Sequence, residues 1–75
     1  MEKKIENFEV MLGDIALAKV SRNGSPFIEV AYLGNPSIRG IFTENACNYV
    51  SGNIPMNDIQ YVSNKVKRNA RFLKV

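Results

Sequence analysis

Asn23-Gly24 lies between two runs rich in strand-forming residues, Ile15-Ala-Leu-Ala-Lys-Val20 and Phe27-Ile-Glu-Val-Ala-Tyr-Leu33. Asparagine and glycine accept the positive φ that tight hairpin turns demand, so this dipeptide constrains the middle of the chain more than any other local signal. Ser21-Arg22 and Ser25-Pro26 extend the polar connection, which leaves a bulged or wider hairpin as open as a simple one. Pro26 has no N–H to donate, so it belongs at a strand's first residue or on an edge.

Gly34-Asn-Pro-Ser37 reads as a second turn, because Pro36 pushes Asn35 out of the helical region. Ile38-Arg-Gly-Ile-Phe42 then makes a further strand, expected at an edge, with Gly40 marking a bulge or a close backbone contact. Residues 5–12 fit two patterns. Phe8, Val10 and Leu12 share one face of a strand, while Ile5, Phe8 and Leu12 share one face of a helix. Gly13-Asp14 directly before the next run favours a hairpin and hence a strand. The expected strands are 5–12, 14–20, 27–33 and 38–42. They form an antiparallel meander of three to four strands whose inner face carries Phe8, Val10, Ile28, Val30 and Tyr32 or their opposite-face neighbours.

Two helices are expected after the strands. Thr43 is placed to cap a short helix over 44–51, with Ala46, Cys47 and Val50 on one side and Gly52 ending it. A longer helix is expected over 57–73, capped by Asn57, or by Asn53 with Pro55 in the first turn. Ile59, Val62, Val66, Ala70 and Leu73 fall within an arc of about 80° on it. Asp58 in the first turn and Arg71 and Lys74 in the last match the helix dipole. The fold class is therefore α+β, a single domain over residues 1–75, with the long amphipathic helix packed on the sheet.

Charge is distributed unevenly. The net charge is +3, yet residues 1–58 hold five basic and seven acidic side chains. Residues 59–75 hold Lys65, Lys67, Arg68, Arg71 and Lys74 and no acid. On the last helix Tyr61, Lys65, Arg68 and Phe72 form a stripe opposite the core arc, flanked by Asn64, Lys67 and Arg71. Rings supply rigid apolar area or stack on bases, and cations meet carboxylates or phosphates. A basic outward face is also what an ordinary solvated helix presents.

Composition narrows the classes. The chain has no histidine and one cysteine, Cys47. This leaves no internal disulfide, no zinc cluster and no imidazole base, and it fits a reducing cytoplasmic setting. Cys47 reads as a small buried apolar residue. No run approaches the length of a spanning helix, and the acids at Glu2, Glu6 and Glu9 interrupt anything like a signal peptide. Asn23-Gly-Ser25 matches a glycosylation triplet but reads as a turn. No phosphate-cradling glycine motif occurs, and the two-helix segment fits a helix-turn-helix poorly. No catalytic residue, metal, cofactor or membrane partner is expected.

The expected function is a small non-catalytic protein-binding regulator or inhibitor that docks on a larger protein partner. The alternative is a nucleic-acid-binding protein using the basic C-terminal helix. A sheet edge near 38–42 and exposed Tyr61 and Phe72 offer two routes to self-association as a homodimer.

Overall fold

The structure is a computed structural model and describes residues 8–73. A five-stranded antiparallel sheet is followed by a single continuous C-terminal helix. The strands are β1 (Val10–Met11), β2 (Ile15–Arg22), β3 (Ser25–Tyr32), β4 (Arg39–Thr43) and β5 (Tyr49–Gly52), in the spatial order β1-β2-β3-β4-β5. The helix begins as a 3-10 turn over Met56–Asp58, continues as α1 (Ile59–Asn69) and ends in a 3-10 turn over Ala70–Phe72.

The β2–β3 hairpin closes more tightly than the flanking polar residues suggest. Arg22 pairs with Ser25, so the loop is Asn23-Gly24 alone, with φ of +53° and +82°. Positive φ at both central residues is the condition for a type I′ turn. Pro26 is the second residue of β3, and the pairing of β3 with β4 begins one residue later, at Phe27 and Thr43. Leu33 N–H donates to Asp14 C=O on the β2 side, whereas Tyr32 N–H donates to Ile38 C=O on the β4 side. By alternation, Pro26 turns its nitrogen to the β4 side beyond the end of β4, where no donor is needed.

Alternation also sorts the two faces. Ile15, Leu17, Ile28, Val30 and Phe42 are buried beneath the helix together with Val62, Val66 and Leu73. Val10, Tyr32, Ile59 and Ala70 pack at the margin of this core. The arc expected on the long helix is therefore the arc that is buried. Phe8 is not part of it. It lies in a separate cluster with Ala16, Ala18 and Ala31, which the register puts on the opposite face of the sheet. Residues 5–7 of the expected first strand lie outside the described residues.

Residues 44–51 do not form a helix. Cys47 has φ +56°, a left-handed conformation that stops helical propagation after one turn. Thr43 closes that turn instead of capping a helix. Its carbonyl accepts from Cys47 N–H and its hydroxyl oxygen from Asn48 N–H, each at 3.0 Å. The chain then reverses into β5, where Tyr49 packs edge-on against Phe42 at 5.6 Å between ring centroids. Sheet pairing and this aromatic contact outweigh the short helical pattern. β4 is consequently an inner strand, and the sheet edge lies at β5 rather than at 38–42.

Gly40 makes the close contact its sequence position suggests. It pairs with Gly52, and a Cβ on Gly40 would stand 2.5 Å from Ile54 Cδ1. Gly52, at φ +135°, leaves no space for a side chain against the Arg39 and Gly40 backbone. The bare crossing lets Ile54 enter the core. Neither expected asparagine caps α1. Asp58 occupies the cap position without a side-chain cap bond. Asn53 instead accepts from Arg39 N–H at 2.8 Å and donates to Ser37 C=O at 3.0 Å, holding the 37–39 and 53 segments together.

Candidate docking surface

The residues expected in the stripe lie on α1 and on the 3-10 turn that ends it, and the structure divides them into two groups. The first group is tied to the sheet. Asp14 follows Gly13 (φ +94°) in the β1–β2 connection. One of its carboxylate oxygens accepts from Tyr61 Oη at 2.5 Å, and the other meets Lys65 Nζ at 3.3 Å. Lys65 Nζ also stands 5.5 Å from the centroid of the Tyr61 ring. The Tyr61 hydrogen bond foremost, with Lys65 assisting against partial desolvation, holds the Asp14 carboxyl below its ordinary value. Hydrogen bonds to Tyr61 and then to Asp14 raise the Lys65 ammonium. Tyr61 and Lys65 thus neutralise an acid of their own chain and anchor the start of the helix.

A second clasp lies beside the first. Tyr32 Oη donates to Asp58 Oδ2 at 2.9 Å. Burial, followed by this bond, pushes the Tyr32 phenol up to about 12. Further along, buried Ser63 donates its hydroxyl to Cys47 C=O at 2.6 Å. Cys47 itself is buried and free, and burial pushes its thiol up. Among the described residues, no cluster of histidine, cysteine, aspartate or glutamate is arranged to hold a metal ion.

The second group is open. Lys67 and Arg68 are exposed and make no ion pair among the described residues. Arg71 lies over the Phe72 ring at 5.1 Å, and Phe72 is 52% exposed. Asn64 accepts from Gln60 at 3.2 Å. The terminal turn is 3-10, which advances about 120° per residue instead of 100°. Over three residues this rotates Phe72 about 60° away from the line through Tyr61, Lys65 and Arg68. The continuous stripe becomes an anchored pair, Tyr61 and Lys65, followed by the exposed cations Lys67 and Arg68 and by Arg71 over Phe72.

Each acid of the described residues is engaged away from that patch. Glu9 accepts from Lys19 N–H, Glu29 meets Arg39 at 3.6 Å and Glu44 meets Lys19 at 2.6 Å. Asp14 and Asp58 belong to the two clasps. Two features were not read as sites from the sequence. Asp14 became an anchor only through the fold. The run from Asn45 to Asn57 is uncharged, and its helical pattern over 44–51 hides the strand it forms.

An open hollow of about 580 Å³ lies beside the Asn23-Gly24 turn, lined by Lys19, Val20, Ser21, Gly24, Pro26 and Glu44. No described helix is long and apolar enough to cross a membrane. No protein-family model, curated protein or solved structure matches the chain.

Proposed function

We propose that this chain is a non-catalytic protein-binding regulator or inhibitor, cytoplasmic in setting, that docks on a larger protein partner through the outward side of α1. One observation supports this reading above the others. Phe72 is half-exposed beneath Arg71, and Lys67 and Arg68 stand exposed on the preceding turn, while each described acid is engaged elsewhere. An aromatic ring beside arginines is the composition of an interface anchor, and unneutralised cations suit an acidic partner surface.

The lack of any acid in residues 59–75 favours a second reading, contact with nucleic acid. Geometry weighs against it. From Lys67 to Arg71 the helix rises only about 6 Å, which limits the patch to a few phosphates. Binding of that kind fades steeply as salt rises.

Titration against single- and double-stranded nucleic acid at low and physiological salt, with cross-linking capture from a lysate in parallel, separates the readings. Docking predicts salt-erased nucleic-acid binding and a discrete protein whose capture falls when Arg68 or Phe72 is changed to alanine. Nucleic-acid affinity retained at physiological salt, with no protein captured, overturns it.

A further inference from the structure

Of the nine asparagines in the chain, Asn23 alone is followed by glycine. That pairing carries chemistry as well as shape. The backbone nitrogen of the next residue can attack an asparagine side-chain carbonyl, and a glycine there has no Cβ to crowd the approach. Every other asparagine precedes a residue with a side chain, and Asn35 precedes Pro36, whose nitrogen has no proton to lose. The surroundings leave Asn23 open. Asn23 and Gly24 are both exposed, and no heavy atom beyond the chain neighbours lies within 4 Å of where a Cβ on Gly24 would stand. No hydrogen bond among the described residues engages the Asn23 side-chain amide. Asn53, by contrast, uses both ends of its amide, and Asn69 donates to Lys65 C=O at 2.9 Å.

The turn that exposes the pair also keeps it from reacting. Ring closure needs the Gly24 nitrogen close to eclipsing Asn23 Cβ about the Cα–C bond. Positive φ at both residues marks a type I′ turn. Its first central residue has ψ of about +30°, the mirror of type I. In an L-residue with that ψ the following nitrogen stands about 150° from Cβ in projection, almost the farthest it can lie. Arg22 pairs with Ser25 directly across the loop and holds this conformation in place. Reaction therefore requires the end of the hairpin to open.

We propose that Asn23 is a spontaneous deamidation site, withheld by the closed β2–β3 turn and released when the hairpin opens. In the opened chain the Gly24 nitrogen bonds to Asn23 Cγ, the Cγ–Nδ2 bond breaks, and ammonia leaves with the Gly24 amide proton. A five-membered cyclic imide results, and water then adds at one of its two carbonyls. Addition at Cγ breaks the new N–Cγ bond and leaves an ordinary aspartate. Addition at the main-chain carbonyl breaks the original peptide bond and leaves isoaspartate, with the chain running through Cβ and Cγ. The two products have opposite fates. Asp-Gly suits a type I′ turn as Asn-Gly does, so the aspartate form closes the hairpin again. Isoaspartate adds an atom to the main chain of a two-residue loop and disrupts the Arg22–Ser25 pairing next to it. An opening that ends in isoaspartate is not reversed, so the site accumulates a chemical record of how often the hairpin opens. None of this depends on the docking reading.

The test incubates the full chain at mildly alkaline pH, folded in buffer and unfolded in guanidinium chloride, and maps its peptides by mass spectrometry. Isoaspartate is read by methyl transfer from an isoaspartyl methyltransferase. In the unfolded chain Asn23 is expected to deamidate ahead of every other asparagine. Gly24→Ala, compared there so that folding does not enter, is expected to slow the reaction at least about tenfold. In buffer Asn23 is expected to react at least about tenfold more slowly than in denaturant, since only the opened fraction reacts. Asn23→Asp is expected to keep the parent's circular dichroism spectrum and urea midpoint, whereas the purified isoaspartate form has a lower midpoint. Equal rates in buffer and denaturant, another asparagine reacting first in the unfolded chain, or an isoaspartate form as stable as the parent would each overturn the proposal.

Discussion

Ser63 and Cys47 meet across 2.6 Å, the hydroxyl of a buried helical serine donating to the carbonyl of a residue in the left-handed conformation. The bond joins α1 to the turn between β4 and β5 and satisfies a carbonyl that the turn cannot. Ser63→Ala leaves that acceptor without its partner in a buried site. The expected cost is about 1–3 kcal/mol, read as a lower urea midpoint with an unchanged slope. A variant as stable as the parent would show that water replaces the hydroxyl.

The Asp14 clasp sets an acid dependence. Its carboxyl is held below the ordinary value in the folded chain, chiefly by Tyr61, so the clasp stabilises fully above the unfolded carboxylate range. That contribution is lost as pH falls through the lowered folded value. The stability gap between the parent and Asp14→Asn should therefore close on acidification. Tyr61→Phe should cost less than about 1 kcal/mol at neutral pH, because the site is exposed to solvent. Denaturant melts at a series of pH values measure both.

Tyr32 sets the opposite limit. Its phenol is raised from 10.0 to about 12, so the protonated hydroxyl contributes its full stabilisation below pH 10. That contribution disappears as pH rises through about 12. Absorbance at an ultraviolet wavelength specific for phenolate should show a tyrosine ionising only near that upper value. Tyr32→Phe should remove this late step and the matching alkaline loss of stability.

The Gly40–Gly52 crossing predicts an order of damage. Gly40→Ala drives a Cβ toward the end of a flexible side chain, Ile54 Cδ1, and should cost about 1–3 kcal/mol. Adding Ile54→Val removes the struck methyl and should return part of that loss, giving a non-additive double-mutant cycle. Gly52→Ala should cost more than Gly40→Ala, because it meets backbone and also sits at φ +135°.

Sequence pattern carried the hairpin and the long helix because each depends on local chemistry, the Asn23-Gly24 dihedrals and the spacing of Val62, Val66 and Leu73. It failed where distant contacts decide. Residues 44–51 have a passable helical face, but Tyr49 finds Phe42 on a strand and Cys47 takes a left-handed turn. The order of the sheet followed from that error, since an added fifth strand turned an expected edge into an interior strand. The stripe on α1 was legible as a set of outward residues. Its division was not, because Asp14 is 47 residues from Tyr61 in the chain and meets it only when the helix lies on the sheet.

Each strand of this sheet pairs only with its immediate predecessor and successor in the chain. The search for pairing partners during folding is therefore local. The hairpin can close at Asn23-Gly24 and the sheet can lengthen outward one short connection at a time, as in fast-folding chains of low contact order. The helix rewards that assembly late, since its core contacts come from strands that must already be aligned. Weakening α1 should then speed unfolding while leaving the folding rate nearly unchanged, and weakening the hairpin turn should slow folding itself.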